Sequence, residues 1–311
     1  MKKNILFVVG LFLISLTTYA QEQSAFTHYH INPVLINPAA AGLSGDHNIF
    51  LHARNQWSGF PGAPNTYALS YDGPFGKTFG LGATIYSEEI ADISQFRAAL
   101  NYAFRYQLDK LKVGFGFSTE FSQMTINGDV LSDPHYDAGD VRVEDGVNGV
   151  NNFDASLGFY GVYNDQTFFG LAFPNIIMAR LDGDPGATTG SDDTEGFYAF
   201  NFGHRFKSNE YGFTLEPSIL LRRARNVPFQ ADINLKGYFL EDKLIGGLTY
   251  RGGANGAVAL LVGTKFSNFA FYYSFDVSFQ DFQQYSNGAH EITLSFNIPR
   301  KVEPAPALKT N

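Results

Sequence analysis

Between Gln95 and Ser122, apolar and polar residues alternate with a period of two on both sides of a tight polar turn, Leu108-Asp109-Lys110. Phe96, Ala98, Leu100, Tyr102, Phe104 and Tyr106 form one row, and Gln95, Arg97, Ala99, Asn101, Ala103 and Arg105 form the other. After the turn, Leu111, Val113, Phe115, Phe117, Thr119 and Phe121 stand against Lys112, Gly114, Gly116, Ser118 and Glu120. A period of two predicts strands. Each run is longer than the roughly 5–6 residues usual in soluble sheets and close to the ~9–11 that a tilted strand needs to cross a bilayer. Aromatics on one face with charge and glycine on the other fit a transmembrane hairpin, lipid outside and polar groups inside. A hairpin of a large soluble β-sandwich shares the period.

The same alternation predicts strands at approximately 47–54, 66–72, 79–87, 95–107, 111–122, 153–163, 166–174, 197–206, 211–222, 229–239, 242–251, 256–266, 269–278 and 289–298. Short turns are predicted at 72–77, 108–110, 164–165, 207–210, 241 and 267–268. Longer loops are predicted at 55–65, 88–94, 123–152, 175–196, 223–228, 252–255 and 279–288. With the first strand starting in the periplasm, every long loop falls outside and every short turn inside, the asymmetry of outer-membrane barrels. A soluble sandwich has no reason to sort its loops this way. The expected fold is therefore all-β, an antiparallel transmembrane β-barrel of about 14 strands over 47–298.

Residues 21–46 carry two Asn-Pro pairs, Asn32-Pro33 and Asn37-Pro38, which break regular elements. They read as a non-strand, plug-like lead-in against or inside the barrel. Before them, Lys2 and Lys3, the apolar run Ile5 to Leu16 and the small-residue site Thr18-Tyr19-Ala20 read as a signal peptide over 1–20. The proline-containing tail at 299–311 is expected to be a flexible periplasmic end.

Composition narrows the function. Aromatic residues make up 16% of the chain, with 32 glycines and 17% charged residues, as aromatic-girdled, curved strands require. A net charge of −8 leaves no basic stripe for phosphates, so no nucleic-acid partner is expected. The absence of cysteine removes disulfides, thiolate metal sites and a lipoprotein anchor. Membrane location must then come from the fold.

The inward rows hold Arg97, Arg105, Glu120, Asp154, Arg205, Glu216, Arg222, Asp232, Lys236, Arg251, Lys265, Asp276 and Glu291. Mixed signs at this density point to a network filling the lumen more than to an ion-selective pore. Two outer loops are acidic: Asp129, Asp133, Asp137, Asp140, Glu144 and Asp145 in one, and Asp182, Asp184, Asp192, Asp193 and Glu195 in the other. Neither has the spacing of a known calcium loop. His28 and His30, two apart with no carboxylate nearby in sequence, form a weak zinc signal. No nucleophile elbow, metalloprotease motif or phosphate-cradling loop is present, and neither enzymatic activity nor a cofactor is expected.

Two stretches are more specific than the strand pattern. FTHYHINPVLINPAAAG, Phe26 to Gly42, and RNQWSGFPGAPNTYALSYDGPF, Arg54 to Phe75, followed by FGLGATIYSEEI, closely resemble the start of the PorP/SprF family of type IX secretion membrane proteins. The similarity continues in style to the terminal HEITLSFNIP. Asn37, Pro38, Ala39 and Gly42, with Arg54, Gln56, Trp57, Gly59 and Pro64, carry the motif; His28-Tyr29-His30 departs from the Gln-Tyr-Met often found there. The resemblance implies an integral outer-membrane barrel of the type IX secretion and gliding motility machinery. It also implies partners: outer-membrane lipid, with periplasmic secretion-ring components or secreted proteins held at the surface by their C-terminal domains. Trp57, the single tryptophan, is expected to anchor its Gly/Pro-rich loop against the rim or plug the mouth. Arg54 is expected to pair with a lumen carboxylate. The alternative reading is a passive channel for small apolar molecules, since fourteen-stranded barrels with an N-terminal plug also occur among fatty-acid channels.

Overall fold

The computed structural model describes residues 26–137, 139–182, 197–208, 210–224, 227–253 and 256–300; the leader expected at 1–20 and residues 301–311 of the expected tail lie outside these. The strands are β1 (His47–Asn55), β2 (Asn65–Phe75), β3 (Phe79–Ile90), β4 (Ile93–Leu108), β5 (Leu111–Ile126), β6 (Val150–Tyr163), β7 (Thr167–Arg180) and β8 (Tyr198–His204). They continue with β9 (Phe206–Ser208), β10 (Phe213–Ala224), β11 (Val227–Phe239), β12 (Leu244–Gly252), β13 (Ala257–Phe266), β14 (Phe269–Ser278) and β15 (Ala289–Ile298). Each pairs antiparallel with its neighbours, and β15 returns to β1 from His47↔Ile298 to Asn55↔His290, closing the sheet. A break at Arg205 separates β8 from β9, which pair with β10 in one continuous register. The fifteen segments therefore make a fourteen-stranded barrel.

Alternation decides which way each side chain points. On β11 Ile233 is 57% exposed on the lipid face while its neighbour Asp232 is 1% exposed on the lumen face. At the short-turn end, outward aromatics pair across strands: Phe79 with Phe104 at 5.0 Å and Phe269 with Phe296 at 5.1 Å between ring centroids. Such pairs reinforce each ladder where the wall meets the interface. The turn in the Gln95–Ser122 hairpin is tighter than expected: Leu108 pairs with Leu111, leaving Asp109 (φ 48°) and Lys110 as a two-residue loop.

Two departures from the expected loops have local causes. The connection expected over 88–94 is absent, because β3 and β4 stay paired through Glu88↔Gln95 to Ile90↔Ile93 around Ala91-Asp92. Charged residues there read as loop, but above the apolar belt a strand is free to be polar. The long-loop end therefore also contains a tight turn. β7 was expected to stop at Pro174; instead Pro174, Asn175 (φ 57°) and Ile176 bulge opposite Ser156 of β6, and pairing resumes from Ile177 to Arg180.

The lead-in lies inside the barrel. It winds through three short 3₁₀ turns, Thr27–His30, Pro33–Leu35 and Pro38–Ala40, two of them opened by proline, whose fixed φ suits a first helical position. On the long-loop side a short helix, α1 (Val141–Asn148), is capped by Asp140, whose carboxylate accepts from the Arg142 N–H at 2.9 Å. Among the described residues no helix is long and apolar enough to cross a membrane, which says nothing of strands.

Candidate functional site

The chemistry of this chain is concentrated where the plug meets the inner wall. The Asn37-Pro38-Ala39 turn presses on the barrel at positions where the wall has no side chain: added β-carbons on Gly114 and Gly116 of β5 would collide with Ala39, and one on Gly158 of β6 with Asn37. Asn37 Nδ2 donates to the Phe159 carbonyl at 2.9 Å, and its Oδ1 accepts from the Ala39 N–H at 3.0 Å. Ala39, Ala40 and Ala41 then pack with Val34, Leu43, Ala103 and Tyr160 into a small apolar core. Gly42 (φ 67°) turns the chain out toward β1; its N–H donates to Asp72 at 3.0 Å and its carbonyl accepts from Arg105, which also donates to the Phe79 carbonyl at 2.9 Å.

Above this seat the plug enters a charged cluster. Arg54 Nη1 lies 2.9 Å from Asp276 and 3.0 Å from Glu291, with all three side chains nearly fully buried. Glu291 also accepts the Thr27 and His28 N–H groups at 2.7 and 2.9 Å, and the Thr27 hydroxyl donates to Asp276 at 2.8 Å. Arg251 Nε reaches Asp232 at 3.3 Å and its Nη2 donates to Thr27 Oγ1 at 3.3 Å. The Thr293 hydroxyl sits between His28 Nδ1 and His52 Nδ1, 2.7 Å from each. Burial pushes the His28 imidazole down to about 3 and that of His30 well below its usual range, so both are neutral in the plug.

A second cluster lies toward the short turns. Glu216 is held by Lys236 at 2.6 Å and by Arg205, and Lys236 donates to the His30 carbonyl at 3.1 Å. Asn234 Nδ2 donates to the Tyr29 hydroxyl at 2.8 Å. The lumen charges thus do not form one network. Arg54, Asp232, Arg251, Asp276 and Glu291 surround Thr27-His28, and Arg205, Glu216 and Lys236 sit beneath His30. Arg97, Glu120 and Asp154 belong to neither, and Arg105 grips the plug's exit. Lys265 keeps the inward parity of β13 but lies exposed at its short-turn end.

The plug divides the remaining space. A cavity of about 240 Å³ lies on the long-loop side and one of about 400 Å³ on the short-turn side; Tyr29, Val34 and Ile36 line both. At the outer rim, Gln56, Trp57, Gly59 and Pro64 fold into a loop closed by the Gln56 N–H on the Pro64 carbonyl at 2.9 Å and the Phe60 N–H on the Trp57 carbonyl at 3.0 Å. Reciprocal Ser58–Gly288 and Asn287–Ser58 backbone bonds at 2.8 Å tie this loop to the 279–288 connection. Trp57 is half-buried at φ 55°.

The acidic loop over 123–152 spends its carboxylates locally: Asp133 on the His135 N–H at 2.8 Å, Asp140 as a helix cap, Asp145 on Arg180 at 2.8 Å. Among the described residues no three His, Asp or Glu side chains converge as metal ligands. Asp184, Asp192, Asp193 and Glu195 lie outside the described residues.

Sequence reasoning missed the plug's own polar contacts. Thr27, Tyr29 and Asn32, whose Nδ2 donates to Ser70 at 2.8 Å, face wall positions more than thirty residues away in sequence. Their only signal is the polar spacing within the Asn-Pro segment.

Comparison with known proteins places this geometry. No curated protein matches the sequence. In fold the chain is similar to a deltaS2S3 mutant of the monoaromatic hydrocarbon channel TodX (TM-score 0.50, 10% identity, 91% of this chain and 96% of that one). It is also similar to the toluene transporter TbuX of Ralstonia pickettii (0.49, 12%, 85% and 92%) and to outer membrane protein Omp33 of Acinetobacter baumannii (0.47, 6%, 81% and 97%). At these identities the likeness is one of fold. The sequence model for the type IX secretion system membrane protein PorP/SprF matches residues 18–296, spanning the plug, the rim loop and all but the last two residues of the wall, and the chain belongs to that family, an outer-membrane β-barrel of the type IX system.

Proposed function

We propose that this protein is a non-enzymatic outer-membrane anchor or scaffold of type IX secretion and gliding motility, holding exported proteins at the cell surface by their C-terminal domains. The observation that carries the reading is the locked plug. Arg54, Asp276 and Glu291 are buried together on its first residues, and removing a partner from such a cluster leaves an uncompensated charge. A lumen filled this way favours a fixed platform over a passage for apolar molecules. The docking surface belongs to the long-loop end, which carries α1 and the 56–64 and 279–288 loops. Periplasmic ring components, if they bind as well, meet the short turns.

The test is a tag after Asn311, purification from gently solubilised outer membranes, and identification of what co-purifies with the intact protein and with a variant lacking 127–149. Exported proteins sharing a C-terminal domain, recovered with the intact chain and lost with the variant, support the reading. A lone barrel carrying only lipid or fatty acid would overturn it in favour of the passive channel.

A further inference from the structure

The cavity on the long-loop side of the plug is walled by buried donors that no protein acceptor meets with good hydrogen-bond geometry. Tyr86 on β3 stands directly opposite Arg97 on β4, and the guanidinium lies 3.8 Å over the phenol ring. Thr84 precedes Tyr86 by two residues on the same inward face. Thr84 Oγ1, the Tyr86 hydroxyl and Arg97 Nε are all buried without a hydrogen-bond partner, and Tyr86 is only 5% exposed. All three residues line the same cavity of about 240 Å³. A buried donor left without an acceptor keeps its desolvation cost uncompensated, so three in one wall call for an acceptor.

The charges around the cavity favour an anionic one. Arg97, Arg222 and Arg223 line it, against Glu120 and Asp154. Asp154 is engaged by Asn175, and Arg222 donates twice to Gln230, at 2.9 and 2.6 Å. Glu120 sits diagonally from Arg97 across the β4–β5 ladder, and Glu88 above Tyr86 accepts from Thr66 at 3.1 Å. Arg97 itself has no carboxylate within 4.0 Å among the described residues. A guanidinium with an unpartnered Nε, beside two hydroxyl donors and with Glu120 and Glu88 near it but not in contact, matches a carboxylate better than any neutral acceptor.

Size limits what enters. The space is smaller than the roughly 300–1,000 Å³ of pockets that enclose a drug-sized ligand. It holds a carboxylate and the few atoms behind it, and Tyr198 and Asn175, at the long-loop ends of their strands, line it. Phe26 and the Tyr86 ring supply the apolar flank.

We infer that this outer chamber is a binding site for the terminal carboxylate of a longer chain, with Arg97 as counter-ion and the Thr84 and Tyr86 hydroxyls as donors. Two sources present that chemistry: the C-terminus of a polypeptide and the headgroup of a fatty acid. The inference stands apart from the anchoring role, since a carboxylate bound here requires no particular partner on the outer loops.

The test uses the purified full chain in a non-ionic detergent and isothermal titration with three probes: an N-acetylated pentapeptide with a free C-terminal carboxylate, the same peptide as its C-terminal amide, and sodium decanoate. One equivalent of the free-acid peptide bound at least tenfold more tightly than the amide supports the site and assigns a polypeptide source. Decanoate bound with the peptides silent supports it and assigns a fatty-acid source. In either case Arg97→Gln weakens binding tenfold or more, Arg97→Lys restores part of it, and Lys112→Gln, on the other side of the plug, leaves it unchanged. Heat-dependent migration on a gel establishes that each variant is a folded barrel. Silence of all three probes, equal binding of acid and amide, or binding indifferent to Arg97→Gln would overturn the site.

Discussion

Gly158 on β6 and Asn37 in the plug share one volume: a β-carbon on the glycine would occupy the place of the asparagine amide. That amide joins the plug turn to the wall through the Phe159 carbonyl and closes the turn on the Ala39 N–H. Gly158→Val should therefore lift the turn from its seat at a cost of about 1–3 kcal/mol, in the range of other overpacked interiors. The wall ladder, made by backbone groups, should survive. Protease cleavage within 26–42 should accelerate while the heat-modifiable barrel band persists. Unchanged cleavage would mean that the glycine seat does not hold the plug.

Arg54 bridges Asp276 and Glu291, both nearly fully buried. Arg54→Met leaves the two carboxylates close together with only Arg251, which is bound to Asp232 and Thr27, to offset them. Loss of one partner from a buried ionic cluster typically costs about 3–5 kcal/mol, and urea unfolding of the folded barrel should show a midpoint shift of that order. Arg54→Lys should recover part of it, because a point charge replaces the guanidinium without its fork geometry. A shift below about 1 kcal/mol, the scale of exposed pairs, would show that water reaches the cluster.

The wall was legible in the sequence because lipid outside and polar groups inside enforce a strict period of two, and a slip of one residue would turn Ile233 inward and Asp232 into lipid. The rim was less legible. Above the apolar belt the lipid constraint lapses, so β3 and β4 run on through charged residues, and β7 resumes beyond Pro174. Arg54 was identifiable as a lumen cation, but its partners on β14 and β15 lie more than two hundred residues away. Nothing local to the Asn-Pro segment specifies which strands it touches; the clustering of inward glycines on β5 and β6 was the available sign that something presses there.

The buried His28 gives the plug a pH dependence. Its pKa falls from an ordinary 6.5 to about 3 because burial disfavours the imidazolium; nearby Asp276 raises it, while Arg54 and Lys236 lower it further. With the folded value depressed, the released segment binds the proton more readily than the seated one. The contribution of His28 to seating is therefore complete above about pH 6.5 and declines as pH falls toward 3. Protease cleavage within 26–42 should rise between pH 7.5 and 5, and His28→Gln should reduce that rise, the remainder belonging to the equally buried His30. A slope that His28→Gln leaves intact would place the titration on other groups.

The two cavities, about 240 and 400 Å³, lie on opposite sides of the plug and share Tyr29, Val34 and Ile36 as lining. In a planar bilayer the intact protein should give no steady ohmic conductance. Deleting 26–41 removes the plug and the groups that satisfy Glu291, Asp276 and Lys236, while every strand pairing is retained. That variant should open steps of conductance, and its lumen, now lined by unshielded Arg54, Arg251, Arg205 and Lys236 against four carboxylates, should be only weakly ion-selective. If the intact barrel conducts as well as the deletion variant, the plug is displaced in the membrane and the passive-channel reading regains its footing.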